Sequence, residues 1–107
     1  MRRRIDAHVV MEKIIPRITE EYRKLYDIPE DHESMAVFSA DCEDVMWLAV
    51  DDATKKAKIK VIQIETVYGD VDHSWSRYGG EITAIISGEK VADVKSGLHY
   101  AKDYIEN

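Results

Sequence analysis

Residues 58–68, KIKVIQIETVY, and residues 80–87, GEITAIIS, decide the fold. The first is rich in Ile and Val. The second alternates Ile82, Ala84 and Ile86 against Thr83 and Ile85, the two-residue period of a strand. The two are predicted to pair antiparallel. Toward the C-terminus, after Gly88, Val91, Val94, Leu98, Ala101 and Ile105 recur at spacings that give one apolar helix face. Gly97 inside that helix costs ~1 kcal/mol relative to alanine. Its presence predicts tight packing, with another backbone passing close.

Toward the N-terminus, Ser39-Ala40-Asp41 reads as a helix cap, with Glu43 and Asp44 in the first turn against the positive end of the helix dipole. This helix is predicted to run to about Lys58. Its buried stripe is Val45 or Met46, Ala49 or Val50, Ala53 and Ala57. Before it, Met35–Ser39 has strand length and composition, and Glu30–Glu33 reads as a turn. Ile15, Ile18, Tyr22 and Leu25, with Pro16 in the first turn and Pro29 beyond the end, predict a helix from Pro16 to Tyr26. From Arg4 to Ile14, Ala7, Val9 and Met11 alternate with His8, Val10 and Glu12, so a strand is expected. The order is strand, helix, strand, helix, strand, strand, helix. It implies an α+β sandwich: a four-stranded, largely antiparallel sheet with helices covering one face.

The chain of 107 residues is the size of one domain. An apolar fraction of 45% with 2 prolines and 5 glycines excludes a disordered or low-complexity protein. A domain this small buries about two-thirds of its unfolded surface, so association would help it. With 21 acidic and 15 basic residues the net charge is -6, which argues against nucleic acid as a partner. No apolar run approaches the ~18 residues of a membrane span, and MRRRIDAHVVMEK lacks the apolar segment of a secretory signal. A soluble, cytosolic protein is expected, without a membrane partner. The single cysteine, Cys42, fits a reducing compartment.

The chemistry-bearing residues point away from catalysis. His8, His32, His73 and His99 are scattered without metal-ligand spacing, and Cys42 reads as an inert small side chain. Asp41, Glu43 and Asp44 are accounted for by capping, and Arg2-Arg3-Arg4 by a solvated terminus. Gly79-Gly80-Glu81 opens a strand rather than a helix, so it is no phosphate cradle. No catalytic residue, metal or cofactor is expected. The unusual segment is the connection between the two central strands: Gly69, Asp70, Val71, Asp72, His73, Ser74, Trp75, Ser76, Arg77, Tyr78, Gly79 and Gly80. At twelve residues it exceeds the usual hairpin length of about two to five, and long loops tend to carry function. Trp75 is expected to bury itself against a neighbour or a ligand.

The stretch Ser34-Met-Ala-Val-Phe-Ser-Ala-Asp-Cys-Glu-Asp-Val45, with Asp51-Asp-Ala-Thr-Lys-Lys-Ala57, resembles the bacterial microcompartment shell-domain family, most of all the N-terminal half of its ethanolamine-utilisation members. Gly79-Gly-Glu-Ile-Thr-Ala-Ile-Ile-Ser-Gly-Glu89 and Val94-Lys-Ser-Gly97 are similar to the family's later strand and helix, and the likeness runs in order from about Ile14 to Asn107. The resemblance implies a ferredoxin-like shell domain over residues 1–107 in circularly permuted form. In it, a strand and helix in residues 1–33 precede a core of residues 34–107. It also implies a structural, non-enzymatic role: a hexameric tile, packed edge to edge with other shell proteins of the same compartment. The Gly69–Gly80 loop would then surround a central pore for metabolites. Lys56, or alternatively Lys55, would stand at the outer edge between tiles. Two other readings compete. One is a small trimeric, ferredoxin-like regulator that binds a ligand through the long loop. The other is a small enzyme built on His73, for which no oriented nucleophile is visible.

Overall fold

The computed structural model describes residues 7–67 and 81–106. Its elements are β1 (Val9–Ile15), α1 (Glu20–Leu25), β2 (Ser34–Ala40), α2 (Glu43–Lys56), β3 (Lys60–Val67), β4 (Glu81–Gly88) and α3 (Val91–Glu106), in the order the hydrophobic pattern predicts. The strands form one antiparallel sheet in the order β1-β2-β4-β3. As expected, β3 and β4 pair antiparallel, from Lys60 opposite Ser87 to Val67 opposite Glu81.

Strand alternation divides the side chains between two faces. On one face Ala36, Phe38 and Ala40 of β2 and Ile82, Ala84 and Ile86 of β4 meet Met46, Ala49, Val50 and Ala53 of α2 and Val94, Leu98, Ala101 and Ile105 of α3. The small residues of α2 let it lie close to α3, and α2 packs on β3 and β4 while α3 crosses β1, β2 and β4. On the other face Met35 and Ile85 pack with Ile18 and Ile28, joined by the half-buried Tyr22 and Tyr26. Helices therefore cover one face as expected for α2 and α3, but the segment bearing α1 lies on the opposite one.

Three local expectations change. The helix predicted from Pro16 starts at Glu20, because Ile15 belongs to β1 and the Ile18 N–H donates to the Glu33 carbonyl. Thr19 then caps α1 by accepting from the Tyr22 N–H. In β1, Val9 and Met11 do not share a side: Val9 opposes Ala40, Met11 opposes Ser39, and the bulge between them reverses the alternation. The cap of α2 is Cys42, with no side-chain capping bond, because Asp41 is engaged elsewhere. Its carboxylate accepts from the His8 N–H at 2.7 Å and its own N–H donates to the His8 carbonyl, which fastens the start of β1 to the end of β2.

Gly97 is buried, and a Cβ placed on it would lie 2.8 and 2.9 Å from side-chain atoms of Ile59. The tight packing is as predicted, but the neighbour is a side chain rather than a backbone. Across its Cα atoms the molecule measures 38 × 34 × 16 Å, a thin slab set by one sheet with a helical layer. No helix among the described residues is long and apolar enough to cross a membrane.

Candidate functional site

The long connection from Gly69 to Gly80, with Asp70, Asp72, His73, Trp75, Arg77 and Tyr78, lies outside the described residues. What is described is its base. β3 and β4 stay paired up to Val67 and Glu81, so the loop leaves and re-enters the sheet at one pair of neighbouring positions. Val67 and Glu81 stand at the end of the two strands opposite the Lys60 and Ser87 pair.

The two lysines singled out for an edge differ in setting. Lys55 pairs with Asp51 and Lys56 with Asp52, each at 3.1 Å and one helical turn apart. Lys56 also lies over the Tyr100 ring, 5.6 Å from its centre, so it links the end of α2 to α3. Lys55 makes no such link among the described residues, and its side chain is 73% exposed against 52% for Lys56. Both stand in the last turn of α2, where a cation complements the helix dipole.

The remaining chemistry-bearing groups are bound up in the fold. His32 Nδ1 and the fully buried Ser87 Oγ share a hydrogen bond of 2.7 Å. This serine–histidine pair joins the turn before β2 to the end of β4, and burial keeps any substrate from the hydroxyl. Arg23 donates to the carbonyls of Pro29 and His32, clamping α1 to the same turn. Cys42 is buried, and no group of three or more His, Cys, Asp or Glu among the described residues is placed to hold a metal ion. An open groove follows the outer strand, between Val9–Glu12 of β1 and Lys102 and Glu106 of α3. Lys102 pairs with Glu12 across it, and the Glu106 carboxylate accepts from the Val9 N–H at 3.2 Å, so the beginning and end of the described chain lie side by side.

Sequence reasoning assigned the buried stripe of α2 but said nothing of Trp47 and Leu48, which the structure leaves 51% and 56% exposed. Their position off that stripe was the available signal.

Comparison with known proteins places this arrangement. The BMC domain matches residues 42–107. The bacterial microcompartment shell protein EutL of Clostridium perfringens (strain 13 / Type A) is 32% identical over 103 residues, 96% of this chain and 48% of that protein. The crystal structure of ethanolamine utilization protein EutL from Leptotrichia buccalis C-1013-b superposes with a TM-score of 0.87 at 38% identity, covering 98% of this chain and 48% of that one. A trimeric bacterial microcompartment shell protein, PduB, shares the fold with a TM-score of 0.71 at 19% identity, over 88% of this chain and 40% of its own. The chain thus spans about half the length of the relatives it matches. These relatives are shell proteins, which gives the trimeric-regulator reading no support. Sequence and superposition agree across nearly the whole slab, and the chain belongs to the BMC domain family.

Proposed function

We propose that this chain is a structural shell protein of a bacterial microcompartment, a tile residing in the shell inside the cytoplasm, with no catalytic role of its own. The observation that carries this is the superposition on EutL, at 38% identity over 98% of the chain. The slab shape suits a tile, and the burial of the Ser87 hydroxyl argues against its use as a nucleophile. Six copies close into a ring, because repeated head-to-tail contacts either close or run on into filaments, and a closed ring covers surface that a small domain leaves bare. The Gly69–Gly80 loop faces the central opening, where six copies of Asp70, Asp72, His73 and Arg77 act on passing metabolites. Lys56 or Lys55 meets the neighbouring tile.

The decisive measurement is the mass in solution by size exclusion with light scattering. Six times 12.3 kDa, about 74 kDa, is expected. A stable species at 12.3 kDa at high concentration overturns the ring.

The permuted order follows the same reading. The family match begins at residue 42, whereas the superposition covers 98% of the chain, which is compatible with residues before Cys42 being a strand and helix moved to the start of the domain. The contact between Val9 and Glu106 brings the two ends together, as a circular permutation requires. A variant with residues 107 and 1 joined through a short linker, and opened between Glu33 and Ser34, is expected to fold with unchanged circular dichroism. Failure to fold would show that the present order is needed.

A further inference from the structure

Two apolar patches stand on opposite sides of the slab, each beside one charge of opposite sign. β1 forms one edge of the sheet, and there Val10 and Met11 are exposed. The strand period places exposed Lys13 on the same side as Met11. α2 lies over the other half of the sheet, on β3 and β4, and its solvent face carries Trp47 and Leu48. Asp44 is exposed one turn before them, three and four residues away. Asp44 and Lys13 have no ion-pair partner among the described residues, unlike Asp51, Asp52 and Glu12.

We propose that the Val10–Met11–Lys13 edge of one copy docks on the Asp44–Trp47–Leu48 face of the next, and that this is the contact repeated around the ring. The occupant is a second copy of this chain, because each patch supplies what the other lacks. Met11 offers a flexible thioether to the Trp47 ring, Lys13 a cation to Asp44, and Val10 and Leu48 cover one another. The two patches differ and lie on opposite flanks, so the contact is head-to-tail and propagates from copy to copy. A two-fold dimer would instead pair one patch with itself. The inference rests on the ring reading and adds the surfaces that build it.

The test uses the full chain with cysteines at Met11→Cys and Leu48→Cys together, the native Cys42 being buried. A short bismaleimide is expected to give a ladder of covalent multimers, whereas either cysteine alone gives none. A 74 kDa ring without a ladder overturns the assignment of surfaces and leaves the ring intact; a monomer overturns both. A charge swap is the independent check. Lys13→Glu and Asp44→Lys, each alone, are expected to raise the concentration needed for assembly about tenfold, and the double variant to restore it. Unchanged assembly in both single variants rejects the contact.

Discussion

The two faces of the sheet are built on different principles. Beneath α2 and α3 lies a continuous apolar core, closed by small residues that let two long helices approach. Beneath α1 the buried apolar cluster among the described residues is just Ile18, Ile28, Met35 and Ile85, and the helix itself has no buried residue, with Leu25 71% exposed. Polar links hold that second face: Arg23 to two carbonyls, Ser34 to the Pro16 carbonyl, and His32 to Ser87. Hydrophobic stabilisation scales with the area removed from water, so the first face sets global stability while the second fixes the path of one connecting segment.

The largest expected effect separates the faces directly. Phe38→Ala empties a fully buried site under α3 and is expected to cost about 3–5 kcal/mol, whereas Ile28→Ala on the α1 face, where the segment can settle, is expected near the low end for such changes, ~2 kcal/mol. Urea titrations measure both. Equal losses would mean that the two faces form one cooperative core and that the division drawn here is wrong.

Gly97 sharpens the same contrast from the side of α3. Gly97→Leu must displace Ile59 and press on Ile86, and overpacking of this kind costs typically 1–3 kcal/mol. Gly97→Ala gains helix propensity of about 1 kcal/mol, but the methyl would lie 2.8 and 2.9 Å from two Ile59 side-chain atoms, so Ile59 must shift and offset the gain, and the melting temperature is expected to stay near that of the parent. A large loss in the alanine variant would show that Ile59 cannot move and that this face is more rigid than its flexible side chains suggest.

The order of elements was legible because both periods are strong where burial is one-sided, as in residues 80–87 and in the Val94, Leu98, Ala101, Ile105 series. The errors fall where a distant partner overrides a local signal. Asp41 has the chemistry of a cap, yet its carboxylate is taken by His8, 33 residues earlier, which no local pattern reveals. The three-residue spacing from Ile15 to Ile18 mimics a helix although the first ends a strand and the second lies in the irregular connection after it. The bulge at Val10 leaves no mark in composition, because it is defined by what β2 places opposite. Of the candidate site, the lysines at the end of α2 were visible by position. Their different settings depend on Tyr100, 44 residues beyond Lys56, and only packing brings that ring beneath the ammonium group.

Ser87 probes the polar links of the thin face at a smaller scale. Ser87→Ala removes the hydrogen bond to His32 and leaves the imidazole nitrogen without that partner, for an expected loss of roughly 1–2 kcal/mol. His32→Ala in the same background should then add little, because the two side chains make one bond between them. Additive losses would place His32 in some other stabilising contact.

The smallest effect on folding is expected at Lys56, and that is what makes it informative. Its pairing with the half-buried Asp52 is open to solvent on the lysine side, and surface pairs of this kind contribute about 0–1 kcal/mol; the approach to Tyr100 adds a similar small term. Lys56→Met keeps the apolar stem against the ring and drops only the charge, so urea titration should show a change below about 1 kcal/mol. Lys55→Met should change stability no more, its side chain being the more exposed. If one lysine forms the contact between tiles, the two variants will still differ in one measurement. Rings will assemble in both, but electron micrographs will show extended sheets in only one. Loss of sheets at Lys56 alone would assign it the edge, with Tyr100 holding the ammonium group in place for the neighbouring tile. Loss at Lys55 alone would make the Tyr100 contact a brace for the thick face and nothing more.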